Sequence, residues 1–314
     1  MRGTIVLLAS FFMILGFSGR ANSEPGAYFT AIHCDPQYAS GQDWAALVEL
    51  VESAQFYNQK LTIQLNPEWA EVIANQPGSH DLIDEWVTWG HEIGAHHHVL
   101  GHPGGWDGYT NESEENLPVP HEWPGYKGDM AAFLTDTKAM LPEGVPLVTV
   151  SSKDYDFPVG VDFQTGGSDS TPLPSDATSQ PMQKLLFGNT VWNLKHAALI
   201  AAGSWQLVGM MSAFDAASSD QVLGAAVHPH DYYEGHHGPL DAWFAFLEGR
   251  DPGGSRSRTA GSILQDHVES LPEVPGASVV TSMAQATLLL GSGFWALRLS
   301  PRRRRRPGPV AASS

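Results

Sequence analysis

A histidine-rich stretch, residues 90–103 with the sequence GHEIGAHHHVLGHP, constrains this chain more than any other segment. It contains five of the 14 histidines, and its first half is typical of a short buried strand. Neutral imidazole is the commonest protein ligand for zinc. His98 and His102 are four residues apart, a spacing that puts two rings on one face of a helical turn. The stretch therefore predicts a metal site, with a polar surface loop as the alternative.

A hydrolytic metal site needs a third protein ligand and an open position, so a carboxylate is expected nearby. Residues 27–34 (AYFTAIHC) are β-branched and aromatic, which predicts a buried strand that ends at Asp35 and Pro36. His33 and Asp35 are two residues apart, so they share one face of that strand. Asp35 is thus the candidate third ligand, and a turn-forming Asp-Pro pair is the alternative.

Strand and helix patterns alternate along the rest of the chain, which predicts a parallel α/β fold. The clearest later strand, residues 222–227 (VLGAAV), ends at His228. Asp35, His98 and His228 all follow strands, and α/β barrels place their active sites at the carboxyl ends of strands. The other expected strands cover residues 60–65, 146–151, 159–165 and 278–281, and the expected helices include residues 43–54, 129–141, 241–247 and 259–271.

The charge distribution excludes one class of partner. Eight of the 17 basic residues lie near the two ends of the chain, which leaves nine in the central body against 34 acidic residues. Nucleic acids require a basic footprint on the protein, so no nucleic-acid partner is expected. Such a body tolerates neutral or cationic substrates better than polyanions.

The N-terminus is typical of a secretory signal. Arg2 precedes an apolar run at residues 5–17, and Gly19-Arg20-Ala21 supplies small residues for cleavage. Residues 1–21 are therefore expected to be a signal peptide. Cys34 is the single cysteine, so no internal disulfide can form. We expect an exported protein, periplasmic or extracellular.

The histidine motif resembles that of the NodB-homology polysaccharide deacetylases, carbohydrate esterase family four. Residues 90–94 match the family's GHEIG, and residues 98–103 match its H-x-x-x-H-P. Two extra residues separate the halves, so His96 occupies the expected first place, but Leu100 stands four residues after it. The resemblance covers the chain from residue 27 to about residue 287 and makes residues 22–290 the expected catalytic domain.

The resemblance implies a distorted (β/α) barrel and one divalent metal ion, most often zinc, held by an aspartate and two histidines. The implied ligands are Asp35, His98 and His102, with His96 as the substitute. His228 matches the histidine that ends a late family strand and acts as the general acid. The implied reaction is hydrolytic removal of N- or O-acetyl groups from a polysaccharide or oligosaccharide.

Two departures from the family pattern bear on catalysis. The family has two adjacent aspartates, a base and a ligand, where this chain has His33-Cys34-Asp35. His33 is then either the base or a side chain that orients a ligand. The family's arginine motif is not found. A glycan-binding relative without catalysis, and a metal hydrolase of another amide or ester, are therefore the alternative functions.

A long loop at residues 104–128 is rich in glycine, proline and aromatic residues, and we expect it to lie over the site. Its exposed aromatics could stack on sugar rings or simply pack the loop onto the body. The substrate-binding candidates are Trp106, Tyr109, Trp123 and, after the late strand, His230.

The C-terminal segment permits two interpretations. Residues 277–299 are mostly apolar and precede five consecutive arginines, which is compatible with a weak membrane anchor. Several serines, threonines and glycines dilute the segment, which favours a last barrel strand and helix. Residues 291–314 are then a basic, disordered tail.

Overall fold

The fold is described from a computed structural model of the chain, which covers residues 24–117, 125–167, 177–199, 204–232 and 237–272. The elements below lie within a compact unit that ends at Ser270. The expected signal peptide, the strand at residues 278–281, the basic tail and the anchor segment fall outside the described residues.

Ten strands are present among the described residues, and most are buried on both faces. They are β1 (Ala27–His33), β2 (Leu61–Leu65), β3 (Glu92–His96), β4 (Val150–Ser151), β5 (Phe163–Thr165), β6 (Thr178–Ser179), β7 (Met182–Leu186), β8 (Asn189–Leu194), β9 (Ala197–Ala198) and β10 (Val222–Val227). The α-helices are α1 (Gly41–Phe56), α2 (Ala70–Asn75), α3 (Ser79–Thr88), α4 (Met130–Ala139), α5 (Ser204–Ala216), α6 (Pro229–Asp231), α7 (His237–Arg250) and α8 (Ala260–Ser270).

The sheet follows the order β10-β1-β2-β3-β4-β5-β8, and every neighbouring pair in this series is parallel. Only two residues separate β8 from β9, and β9 pairs in parallel with β10. The chain from β8 to β9 therefore contacts both β5 and β10. Leu194 of β8 pairs with Thr165 of β5, and Ala197 of β9 pairs with Ala225 of β10. It joins the two ends of the series and confirms the expected α/β fold, a distorted barrel.

Helix α1 begins earlier than its apolar pattern suggests. Ser40, in an extended conformation, is the N-cap: its hydroxyl oxygen accepts a hydrogen bond from the Asp43 amide and donates to the Asp43 carboxylate. Asp43 is thus the third residue of the first turn, and both its amide and its carboxylate contact the capping hydroxyl. The apolar face that follows, including Leu47, Leu50 and Val51, is fully buried in the main core.

The GHEIG segment closes the barrel at the amino ends of its strands, opposite the histidine cluster. His91 Nδ1 accepts a hydrogen bond from the Leu61 amide at 3.0 Å. Gly94 must lack a side chain, because a Cβ atom would lie 2.7 Å from the Thr149 carbonyl oxygen of the adjacent chain segment. This half of the motif is therefore structural.

Glu92 caps helix α8 from inside the barrel. One carboxylate oxygen accepts from the Gly261 amide at 2.8 Å, and the other accepts from the Thr149 hydroxyl at 2.8 Å. Burial raises the pKa of Glu92 from 4.5 to about 7, although these hydrogen bonds oppose the shift. Glu92 therefore holds its proton more tightly in the folded chain than in the unfolded chain.

No helix in the described part of the chain has the length and apolar character that a bilayer span requires.

We predict that Glu92→Gln removes a pH-dependent loss of stability. A carboxyl group whose pKa is higher in the folded chain than in the unfolded chain stabilises the fold most at a pH below its unfolded pKa. This stabilisation is lost as the pH rises through the window from 4.5 to about 7. The free energy of unfolding of the variant, relative to the native chain, should rise by roughly 2–3 kcal/mol between pH 4.5 and pH 8.

Urea unfolding at several pH values measures this difference. Glu85→Gln, at an exposed position of α3, is the control and should give a difference that does not vary with pH. A Glu92→Gln difference that is equally constant would contradict the assignment.

Candidate metal centre

Polar side chains converge where the barrel strands end. Asp35 follows β1, His96 ends β3, and His228 follows β10. These three side chains line a cavity of about 160 Å³, together with residues from the ends of β4 and β5. The carboxyl ends of parallel strands meet at one edge of the sheet, so the sequence expectation of a site at this edge is consistent with the fold.

Three donor atoms form a tight triangle in this cavity. Asp35 Oδ1 lies 3.2 Å from His96 Nε2 and 3.2 Å from His98 Nε2, and the two imidazole nitrogens are 2.9 Å apart. All three residues are buried, and each offers one ligand atom to a common point. Two ligands on a tetrahedral zinc ion are separated by about 3.4 Å, so the donor set fits a metal of this size.

The alternation of an extended chain explains why His96 and His98 belong together. The ladder continues one residue past β3, since the His97 amide donates to the Ser151 carbonyl at 2.9 Å. Residues two apart on such a segment share a face, whereas His97 points the other way. The sequence analysis paired His98 with His102 as ligands because of a helical spacing, and the chain at His96–His98 is extended instead.

The main chain and neighbouring side chains fix the position of Asp35. Its carbonyl oxygen accepts a 3.0 Å hydrogen bond from the buried Trp69 indole, and its Oδ2 accepts a long 3.4 Å bond from Gln37. Burial would raise the pKa of Asp35, but the charge of His228 and the adjacent rings of His96 and His98 hold it well below its usual range. The carboxylate is therefore ionised.

His98 is held in the tautomer that a ligand requires. Its Nδ1 lies 2.9 Å from the Gly105 carbonyl oxygen, which can only accept, so Nδ1 carries the proton and Nε2 keeps a free lone pair. Gly104 permits this approach, because a Cβ atom there would lie 3.0 Å from His98 Cε1 and 2.7 Å from Gln37 Nε2.

His102 lies beside the triangle and does not belong to it. Its ring is 3.8 Å from the His98 ring, and its Nδ1 accepts from the Gly104 amide at 3.0 Å. That bond places the proton of the neutral ring on Nε2, where it blocks ligation. Burial, followed by the charge of His98, lowers the pKa of His102 to about 4, so the ring is neutral.

His33 lines the same cavity as the triangle. Its ring stacks on the His96 ring with centroids 4.0 Å apart, and its buried Nε2 has no hydrogen-bond partner. Burial, reinforced by the neighbouring imidazoles of His96, His196 and His228, lowers the pKa of His33 well below 6.5. His33 is thus a neutral ring that fixes the plane of His96.

His228 faces the triangle from β10. Its Nε2 lies 3.8 Å from Asp35 Oδ1, and its Nδ1 lies 3.1 Å from Asp231 Oδ2. Burial lowers the pKa of His228, but the carboxylates of Asp35 and Asp231 raise it above its ordinary value. His230 is 5.1 Å from the His228 ring and stacks on Tyr38 at 3.8 Å, outside the cavity lining.

Of the aromatic residues predicted to bind sugar, the two that the structure describes, Trp106 and Tyr109, do not line the cavity. Trp106 is 2% exposed and donates its indole N–H to the Tyr109 carbonyl oxygen. Tyr109 is 4% exposed, and its hydroxyl donates to Asp136 at 2.7 Å. Both pack the loop onto the body, the second of the two expected alternatives. Trp123 lies outside the described residues.

A buried ion network below the triangle was not anticipated from the sequence. His97 Nδ1 lies 2.9 Å from Asp107 Oδ2, and its Nε2 lies 3.2 Å from Asp156 Oδ2. Burial lowers the pKa of His97, but the charge of Asp107 and hydrogen bonds to both carboxylates raise it to about 9. His97 is therefore a cation between two carboxylates.

Asp107 also fixes the main chain at the site. Its Oδ2 accepts from the His98 amide at 3.0 Å and from Asn66 Nδ2 at 2.8 Å. The same Asn66 amide donates to the His96 carbonyl at 2.8 Å. This network positions both histidine ligand candidates without touching their rings.

Comparison with known proteins gives matches at the level of structure alone. No protein-family model matches the chain, and no curated protein matches it. The 4-alpha-glucanotransferase of Thermococcus litoralis aligns with 79% of the chain at 11% identity and a TM-score of 0.50. The chain spans only 41% of that enzyme's length, and a likeness at this identity concerns the fold alone.

Two further solved structures are described as polysaccharide deacetylases. The protein from Mycobacterium smegmatis aligns with 90% of the chain and 95% of its own length, at 14% identity and a TM-score of 0.49. A protein from Bordetella bronchiseptica, described as involved in O-antigen biosynthesis, aligns with 78% of the chain and 91% of its own length, at 15% identity and a TM-score of 0.37.

We predict that Asp107→Asn strongly destabilises the protein even when no metal is present. The change leaves the buried His97 cation with Asp156 as its one carboxylate partner, and removal of one partner of a buried ion pair costs about 3–5 kcal/mol. The control is Asp266→Asn, which removes an exposed ion pair with Arg258 and should cost about 1 kcal/mol or less.

Urea unfolding in the presence of a chelator measures both changes. Equal, small losses in the two variants would show that the buried network contributes nothing beyond a surface pair.

Proposed function

We propose that the protein is a metal-dependent hydrolase that removes acetyl groups from a polysaccharide or oligosaccharide. The observation that carries the proposal is the buried triangle of Asp35 Oδ1, His96 Nε2 and His98 Nε2, with separations of 2.9–3.2 Å. We assign these three residues as the ligands of one divalent ion, zinc, so that His96 takes the role that the motif spacing gave to His102.

The donor set suits zinc in its chemistry as well as its size. Two imidazoles and one carboxylate are a common protein ligand set for catalytic zinc, which keeps a further position open. When bound, such an ion polarises a carbonyl group and lowers the pKa of water. The cavity beside the triangle provides room for an acetyl group.

His228 is the proton donor to the leaving amine or alcohol in this proposal. Asp231 accepts from its Nδ1, which leaves Nε2 directed at the cavity. Asp35 and Asp231 raise the pKa of His228 and so favour its imidazolium form, the state that a general acid requires. His33 supports the His96 ring by stacking, which favours its orienting role over its role as the base.

A glycan-binding relative without catalysis is the second candidate. The observation that favours it is His33 at the position of the family's first aspartate, because an imidazole whose pKa burial holds well below 6.5, and whose Nε2 is buried, is a weak proton acceptor. Acetate release from acetylated glycans separates the two functions. Release from other esters or amides, but not from glycans, would indicate a hydrolase of different specificity.

We predict that Asp35→Asn and His96→Ala lose metal and activity together. Removal of a direct ligand should weaken zinc binding by more than about 100-fold, since even outer hydrogen-bond partners are worth about 10–100-fold. His102→Ala should weaken zinc binding by less than about tenfold, because its ring only stacks on His98.

Zinc titration with a competing chelator and acetate release measure these changes in parallel. His80→Ala, at an exposed position of α3, is the histidine control and should match the native chain. Full zinc binding by His96→Ala together with its loss in His102→Ala would overturn the ligand assignment.

A further inference from the structure

We propose that Lys153 and Tyr155 form an anion-selective subsite at the mouth of the cavity. The subsite would take a glycan residue that carries a carboxylate or another anionic substituent next to the acetylated position. This inference rests on the proposed function and names the substrate class of that site.

Lys153 brings a basic side chain to the cavity lining. It follows β4 and is the one lysine or arginine among the described residues that line the cavity. Its Nζ has a single long contact, 3.5 Å from the Gly167 carbonyl oxygen, and no carboxylate of the described residues forms an ion pair with it. The charge of Lys153 is therefore available to a ligand.

The neighbouring carboxylate does not neutralise Lys153. Asp154 is engaged by Lys184, whose Nζ lies 2.9 Å and 3.2 Å from its two carboxylate oxygens. Asp154 Oδ1 also accepts from Gln164 Nε2 at 2.9 Å. These contacts direct the Asp154 side chain to β5 and β7.

Lys153 also acts electrostatically on another side chain of the cavity lining. Burial and the charge of His228 lower the pKa of His196 to about 4, and Lys153 adds to that shift. His196 lies between β8 and β9, so Lys153 acts on a part of the cavity wall that does not belong to β4.

Tyr155, two residues after Lys153, is an exposed aromatic side chain of the same segment. It lies in the short 3-10 helix Asp154–Asp156, and its side chain is 64% exposed. Aromatic faces stack on sugar rings, and Trp106 and Tyr109 are buried and cannot serve this purpose.

The segment that carries both side chains is anchored at its far end. Asp156 contacts His97 Nε2 at 3.2 Å and accepts from the Asn111 amide at 2.5 Å. The Ser152 hydroxyl donates to the Asp156 carbonyl at 2.7 Å, which closes the turn around Lys153 and Tyr155. A pre-positioned cation loses less entropy on binding than a mobile one.

The acidic body limits what the subsite accepts. Nine basic residues against 34 acidic ones repel a polyanion, whereas a single lysine can pair with one anionic substituent. The expected substrate is therefore an acetylated glycan with isolated anionic groups.

The test compares kcat/KM of the zinc-loaded full chain for acetylated oligosaccharides of equal length. One is neutral, one contains a uronic acid, and one contains a sulfate ester. Lys153→Met should lower the charged-to-neutral ratio by about tenfold or more, since a hydrogen bond to a charged group is lost. Lys153→Arg should retain most of the preference for charged over neutral substrate. Of the uronic acid and sulfate substrates, the one whose kcat/KM falls more in Lys153→Met identifies the preferred anion.

Lys138→Met, at an exposed position of α4, is the matched lysine control and should keep the native ratio. Tyr155→Ala should raise KM on all three substrates, and Tyr155→Phe should restore it. An unchanged ratio in Lys153→Met, or an equal loss on neutral and charged substrates, would overturn the subsite.

Binding separates a failure of the subsite from a failure of the proposed function. If no acetylated glycan is turned over, calorimetric titration with the deacetylated uronic acid oligosaccharide still measures the subsite. Weaker binding by Lys153→Met than by Lys138→Met supports the subsite, and equal binding contradicts it.

Discussion

The approach of Asp35, His96 and His98 within 3.2 Å of one another is the constraint on which the rest of the site depends. Three buried donors at this distance need a proton or a metal ion between them. The surrounding groups hold this arrangement: the Trp69 indole fixes the Asp35 main chain, and the Gly105 carbonyl sets the His98 tautomer. A site assembled before its ion arrives loses little conformational entropy on binding.

The three consecutive histidines divide into two functions because the chain is extended there. His96 and His98 face the cavity, and His97 faces the body as a cation between Asp107 and Asp156. The segment after His102 contacts His98 in two ways. Gly104 leaves room for the His98 ring, and Asp107 accepts a hydrogen bond from the His98 amide. Asp107, beyond the histidine motif, therefore supports the candidate metal centre.

The parts of the fold that depend on local pattern could be predicted from the sequence. The β-branched runs predicted β1 and β10, and strand order at the carboxyl edge brought Asp35 and His228 together. The choice of His96 or His102 as the second histidine beside His98 required the backbone conformation after β3. An extended chain brings His98 together with His96, whereas a helical turn would bring it together with His102. Asp107 and Asp156 contact His97 from ten and 59 residues away, so no local spacing signals them.

The most direct measurement is a crystal structure of the zinc-loaded protein with anomalous scattering recorded at the zinc edge. A single anomalous peak within about 2.2 Å of Asp35 Oδ1, His96 Nε2 and His98 Nε2 is the predicted result. A peak bound by His102 in place of His96, or no peak at the end of β1, would contradict the proposed centre.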